Sequence, residues 1–182
     1  MSRIPTPSTI EAAPELTHAS LRAVEKQLGS VPNMFRLIAN SPAALNGYLG
    51  LNGALGHGTL DAKTRERIAV AVAQYNQCSY CLSAHSYLGK NLAKLDDAEL
   101  AANRDGGSRD PKADAALRFA TKLVHQRGRV GEGEVQALIQ AGYDHGQVVE
   151  IIAHVALNTL TNYVNEALAT EIDFPLVDAN AR

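Results

Sequence analysis

Signals that begin helices recur along this chain, and they constrain its fold more than any other feature of the sequence. At two positions a Ser or Asp stands directly before a Pro, the usual arrangement of an N-cap residue followed by the first helical residue. At two others an Asp precedes, by three residues, a Glu or Gln that can reach back to it as in a capping box. These four starts are Ser41-Pro42, Asp110-Pro111, Asp96 with Glu99, and Asp144 with Gln147. Strand signals are scarce, so the sequence predicts an all-α fold, a compact array of helices joined by short turns.

Two apolar stretches predict the helices of the core. Ile68 to Ala73 alternates large and small residues as a strand would, but Asp61 and the polar residues after it form a good capped first turn. We therefore predict one helix from Asp61 to Asn76 that is buried on several sides. A second, longer helix is predicted to run from residue 148 until residues 173 to 175 end it, because apolar residues recur there at helical spacing. Its predicted core positions are Val148, Ile152, Val155, Leu160, Tyr163 and Ala167.

Length and composition predict one domain without nucleic-acid or membrane partners. A chain of 182 residues, 46% of them hydrophobic, can fill a core without disulfides. Residues 1–14 contain three prolines and are expected to form an N-terminal arm ordered by packing on a neighbour, and residues 15–182 a single helical domain. The net charge is -2, with 17 basic and 19 acidic residues mixed along the chain, so no basic patch indicates nucleic acid or an anionic membrane. The start of the chain lacks the features of a secretory signal, and no apolar stretch approaches the roughly 18 residues of a membrane span, so we expect a cytoplasmic location.

The chemistry of the chain is indicated by its two cysteines. They form Cys78-Ser79-Tyr80-Cys81, and His85 follows four residues after the second cysteine. In a reducing compartment such a pair is more often redox-active or metal-binding than structural. If a helix starts near Cys78, its unpaired N–H groups stabilise a thiolate. On that helix Cys81 and His85 lie one turn apart on the same face, so the imidazole can act on this thiol.

Glu66 is the candidate acid-base partner of this pair. It lies twelve residues before Cys78, on the predicted preceding helix. If the two helices form a tight antiparallel hairpin, its carboxylate returns beside Cys81 and His85 and can pass protons through the imidazole. Arg65 and Arg67 flank Glu66 and offer the alternative of an ordinary ion-paired surface carboxylate.

These residues resemble a known family. Glu66, Cys78-x-x-Cys81 and His85, at these separations in an all-helical chain, resemble the AhpD-like alkylhydroperoxidases of the carboxymuconolactone decarboxylase superfamily. The segments Leu28 to Phe35 and Asn158 to Tyr163 are similar to the branch called peroxidase-related. The decarboxylases of the superfamily lack the cysteine pair, which argues against that activity here.

The resemblance implies an AhpD-like fold and a peroxidase that reduces hydrogen peroxide or small organic hydroperoxides without a metal or other cofactor. Cys81 would attack the O–O bond and become a sulfenic acid, Cys78 would resolve it to a disulfide, and His85 and Glu66 would form the proton relay. The implied partners are a dithiol reductant of the lipoyl type and further copies of the chain, as a trimer or hexamer. Founding members of the family carry a histidine where this chain has Tyr80, so a relay through that imidazole would have to differ, and Tyr80 is expected at most to donate a hydrogen bond.

Other interpretations of the same residues stay open at this point. The pair could serve disulfide exchange or redox sensing without peroxide turnover. Cys78, Cys81, His85 and Glu66 could ligate zinc, since they offer S, S, N and O ligands. The two cysteines could also be small buried hydrophobic residues with no reactivity. A thioredoxin-like domain would need a βαβ context that the sequence does not show.

Four residues with polar groups, among others, lie on the predicted long helix. His154 lies between apolar neighbours, and we expect it to be a core histidine bonded to a backbone carbonyl. Asn158, Asn162 and Tyr163 either line a pocket or form hydrogen bonds between packed helices.

Overall fold

The computed structural model describes residues 2–181. These residues form nine α-helices, preceded by a short 3-10 turn at Glu15–Thr17, and no strand. The predicted all-α fold is confirmed. The helices are α1 His18–Leu28, α2 Asn33–Ile38, α3 Pro42–Gly56, α4 Ala62–Tyr75, α5 Ser79–Asn91, α6 Asp97–Arg104, α7 Pro111–His125, α8 Glu132–Gln140 and α9 His145–Leu168.

The predicted helix starts are confirmed by the caps that the structure shows. Five helices have an N-cap side-chain oxygen that accepts a hydrogen bond from a backbone N–H of the first turn, which pairs a donor that the helix itself leaves unpaired. These caps are Ser41, Asp61, Asp96, Asp110 and Asp144. The reciprocal capping box forms at Asp144 with Gln147, but the one predicted at Asp96 does not form. Glu99 instead accepts a 2.8 Å hydrogen bond from Nε of Arg67, because a buried arginine needs a carboxylate partner.

Helix α4 lies at the centre of the molecule and contacts α5, α6, α7 and α9. Val70 and Ala73 belong to a buried cluster shared with α1, α2 and α5, whereas Ile68 and Val72 belong to a second cluster shared with α7, α8 and α9. The helix therefore separates two hydrophobic cores. Residues 68 to 73 are buried on every side, as the sequence predicted.

The buried face of α9 differs from the predicted one. Val148 and Val155 are buried, but Ile152, Leu160 and Tyr163 are 41%, 46% and 64% exposed, and Ala167 is exposed as well. The face that packs on α4 and α5 is partly polar, and hydrophobic periodicity cannot count polar residues that are buried. The buried positions of α9 are Val148, Ile151, His154, Val155, Leu157, Asn158, Thr161, Asn162 and Asn165.

The two ends of the chain pack on the helices. In the N-terminal arm, the guanidinium of Arg3 donates to the carbonyls of Glu166 and Ala167 at the end of α9. The backbone N–H groups of Val177 and Ala179 donate to hydroxyls of α5. The C-terminal segment thus lies over the start of the helix that carries the cysteines.

None of the helices within residues 2–181 is long and apolar enough to cross a lipid bilayer.

Candidate active site

The turn between α4 and α5 sets the position of both cysteines. Asn76 caps the end of α4, and Gln77 takes a left-handed conformation, with φ 57°. This reversal lets the N–H of Cys78 donate to the carbonyl of Ala73 at 2.9 Å. Cys78 is then the N-cap of α5, and its Sγ accepts a 3.4 Å hydrogen bond from the N–H of Cys81. The predicted helix start at the dithiol is confirmed.

The two cysteines are buried free thiols with opposite acidities. Cys78 is fully buried and Cys81 is 2% exposed. The thiol of Cys78 donates to the sulfur of Cys81, and this hydrogen bond, together with the charge on His85, lowers the pKa of Cys81 to about 7 against the opposing effect of burial. The same hydrogen bond and burial raise the pKa of Cys78. Cys81 is therefore the thiol that ionises near neutral pH, and thiolate is the reactive form of cysteine.

Glu66 contacts His85, as the predicted helix hairpin required. Nδ1 of His85 donates to Oε2 of Glu66 at 2.9 Å, and each side chain is 24% exposed. Burial lowers the pKa of His85, but the charge and hydrogen bond of Glu66 outweigh it, so the pKa is raised. The flanking arginines bond elsewhere. Arg65 donates to the carbonyls of residues 55 and 56, and Arg67 pairs with Glu99.

His85 acts on Cys81 through charge. Within residues 2–181 its only hydrogen-bond partner is Glu66, so its Nε2 makes no hydrogen bond with Sγ of Cys81. The protonated ring nevertheless lowers the pKa of the thiol. Nε2 therefore has no hydrogen-bond partner among the described residues. The roles of these residues in a reaction stay a prediction.

Two residues of the site were missed by sequence reasoning. Nδ2 of Asn165, on α9, donates to Sγ of Cys81 at 3.1 Å. The ring of Tyr48, on α3, packs against the cluster of buried residues around the cysteines, and burial and the nearby charges of Cys81 and Glu66 raise its pKa. The signal for Asn165 was its spacing from Asn158 and Asn162 along one face of the helix. No sequence signal distinguished Tyr48.

The hydroxyl of Tyr80 makes its hydrogen bonds away from Glu66 and His85. It donates to Oδ1 of Asp173 at 2.9 Å and accepts from the N–H of Met34 at 3.1 Å. The tyrosine therefore joins the C-terminal segment to α2, and the expectation of a hydrogen-bond donor is confirmed. His154 differs from its prediction. It is buried, but its Nε2 has no hydrogen-bond partner, whereas a backbone carbonyl was expected.

The four candidate residues do not form a metal-binding arrangement. Among residues 2–181, no group of three or more His, Cys, Asp or Glu side chains is placed to hold a metal ion. One ring nitrogen of His85 is engaged by Glu66, and a hydrogen bond joins the thiol of Cys78 to the sulfur of Cys81. The zinc interpretation therefore has no geometric support.

Comparison with known proteins shows which proteins this chain resembles. The sequence profile of the carboxymuconolactone decarboxylase family matches residues 42–122, which include all four candidate residues. A peroxidase-related protein of Ralstonia eutropha, solved as an alkylhydroperoxidase AhpD core, has a TM-score of 0.85. It is 26% identical, and the alignment covers 94% of this chain and 92% of that one. The profile match and the similarity to this structure together support an AhpD-like member of the carboxymuconolactone decarboxylase superfamily.

Two further similarities extend the comparison. The debrominase Bmp8, in complex with 2,3,4-tribromopyrrole, has a TM-score of 0.79 and is 21% identical over 95% of this chain and 94% of its own. At that identity the similarity shows the fold alone. An uncharacterized protein of Haemophilus influenzae is 41% identical over 64 residues. This match covers 35% of this chain and 51% of the relative, or about half of the relative's length.

Proposed function

We propose that this AhpD-like protein is a thiol-dependent peroxidase that reduces hydrogen peroxide or small organic hydroperoxides. The observation that supports it most is the 2.9 Å contact between Glu66 and His85 beside a buried thiol whose pKa is lowered. A nucleophile, a proton donor and an orienting carboxylate are the three groups that such a reaction uses.

The proposed reaction begins with the thiolate of Cys81. Its Sγ attacks one oxygen of the hydroperoxide, the O–O bond breaks, and the sulfur is oxidised by two electrons to a sulfenic acid. The other oxygen leaves with the electron pair and takes a proton from the imidazolium of His85, which Glu66 holds in place. The thiol of Cys78 then attacks the sulfenic sulfur, water leaves, and a Cys78–Cys81 disulfide forms. A dithiol reductant returns both cysteines to thiols.

The test is consumption of hydrogen peroxide in the presence of dihydrolipoamide. The wild-type protein is expected to turn over, and Cys81→Ser is expected to lose turnover because it removes the attacking sulfur. Cys78→Ser is the matched control, since it keeps Cys81 and should give one oxidation without fast turnover. Equal peroxide consumption by the wild type and Cys81→Ser would rule out the proposed reaction.

The same assay separates the alternative functions. A redox-sensing or disulfide-exchange module would oxidise once and would reduce a small disulfide without consuming peroxide. Because a debrominase shares the fold, loss of bromide from tribromopyrrole is measured in parallel. If the protein reacts faster with the small disulfide or with tribromopyrrole than with peroxide, that activity would replace the proposed one.

The partners and location implied by the family belong to this proposal as well. We propose a lipoyl-type dithiol as reductant, association of several copies as a trimer or hexamer, and a cytoplasmic location. The mass of the protein in solution by light scattering tests the association. Comparison of dihydrolipoamide with monothiols tests the reductant.

A further inference from the structure

The C-terminal half of α9 carries a row of buried amides. Asn158, Asn162 and Asn165 are 5%, 1% and 2% exposed, and they follow one another at one-turn intervals. Burying an amide is unfavourable unless its donors and acceptors are paired. The pairing of each amide in this row therefore shows which of its polar atoms are left without a partner.

The three amides are paired differently. Asn158 is paired within its own helix, since its Nδ2 donates to the carbonyl of His154 at 2.8 Å. Asn162 accepts a 2.8 Å hydrogen bond from Asn76 at Oδ1, but its Nδ2 has no partner. Asn165 donates to Sγ of Cys81, but its Oδ1 has no partner. The two asparagines nearest the sulfur thus leave one donor and one acceptor unpaired in the protein interior.

Both of these incompletely paired amides lie beside Cys81. Nδ2 of Asn165 donates a hydrogen bond to Sγ of Cys81. The side chain of Asn162 is close enough to Sγ to lower the pKa of this thiol, but its Nδ2 does not reach hydrogen-bonding geometry with the sulfur. A hydroperoxide group presents one O–H donor and oxygen acceptors on two adjacent atoms. Its hydrogen-bonding pattern complements the unpaired donor and acceptor.

We propose that Asn162 and Asn165 bind the hydroperoxide group and orient it for attack by Cys81. The carbonyl oxygen of Asn165 accepts the O–H of the oxygen that the sulfur attacks, and the amide of Asn162 donates to the oxygen that leaves. As the O–O bond breaks, the leaving oxygen gains negative charge, which the Asn162 donor stabilises until His85 supplies the proton. The inference rests on the proposed peroxidase function and adds the residues that recognise its substrate.

The test compares two reactions of the same sulfur. Rate constants are measured for oxidation of Cys81 by hydrogen peroxide and for its alkylation by iodoacetamide, which needs the thiolate but does not present a hydroperoxide group. For Asn162→Ala and Asn165→Ala we expect the ratio of oxidation to alkylation to fall about tenfold, the effect of one hydrogen bond to a developing charge. Because both reactions scale with the thiolate fraction, a change in the pKa of Cys81 cancels in this ratio.

Asn158→Ala is the matched control, since it removes a buried amide from the same row that donates within its own helix and not to the sulfur of Cys81. Its ratio should stay within about twofold of wild type. If one of the two test variants does not fold, judged by its thermal melting, the other decides.

An unchanged ratio in the folded test variants, with a wild type that reacts rapidly with peroxide, would overturn the inference and leave the peroxidase function standing. A wild type whose Cys81 thiolate reacts with peroxide no faster than a free thiolate would overturn both.

Discussion

The hydrogen bond from the thiol of Cys78 is the largest of the effects that lower the pKa of Cys81. Removal of this thiol is therefore the most direct test of the site. In Cys78→Ala the sulfur of Cys81 loses the hydrogen bond that stabilises its thiolate. It keeps the charge of His85 and the hydrogen bond from Asn165. The substitution therefore isolates one contribution to the acidity of the site.

The expected magnitude follows from the strength of a hydrogen bond to a charged group. Such a bond contributes about 1.5–3 kcal/mol, and one pKa unit corresponds to about 1.4 kcal/mol. The pKa of Cys81, about 7 in the wild type, should rise by roughly one to two units in Cys78→Ala. At pH 7 the thiolate fraction would fall from about one half to roughly 1–10%. The rate of alkylation at pH 7 should therefore fall by roughly 5- to 50-fold.

The assay is alkylation by iodoacetamide as a function of pH, with the modified cysteine identified by mass spectrometry. Cys78→Ala has a single thiol, so its profile reports Cys81 alone. Cys78→Ser is the graded control, because a hydroxyl can still donate to the sulfur, and its midpoint should lie between those of the wild type and the alanine variant. A Cys78→Ala profile with its midpoint at the wild-type pH would refute the assignment of the low pKa to this hydrogen bond.

The remaining predictions concern the relay and the core. The carboxylate of Glu66 raises the pKa of His85, so the peroxide rate should rise as Cys81 ionises and fall at higher pH as His85 loses its proton. Glu66→Gln should move the falling limb of the pH–rate profile to lower pH, and an unmoved limb would contradict the relay. Ile151 is fully buried and Ile152 is 41% exposed. In urea denaturation Ile151→Ala should therefore cost about 2–5 kcal/mol and Ile152→Ala less than about 1 kcal/mol. Equal losses would contradict the orientation of α9.

Part of the candidate site could be predicted because it depends on one helix hairpin. Cys81 and His85 share a helix face through the helical period, and the distance in sequence from Glu66 to Cys78 brings the carboxylate back along a short connection. The contact between Glu66 and His85 follows from that register. His85 acts on Cys81 as the helical period predicted, but through its charge, since no hydrogen bond joins the two side chains within residues 2–181.

The long helix shows where sequence reasoning fails. The apolar pattern selected Ile152, Leu160 and Tyr163 for the core, and all three are exposed. The buried face contains asparagines, and a pattern of hydrophobic residues assigns such positions to the surface. The burial of Asn162 and Asn165 is explained only by their hydrogen bonds with residues at the end of α4 and on α5.

The sequence by itself determined the helical architecture, the start of α5 at the cysteine pair and the register of Glu66 with His85. These features arise from caps, helical period and a short turn, which act between residues close together in the chain. The tertiary structure decided which face of α9 is buried, that Asn165 bonds to Cys81 across 84 residues of sequence, and that Tyr80 holds the C-terminal segment. Such contacts depend on how separate helices pack, and packing is set by the shapes and polar groups of all the helices together.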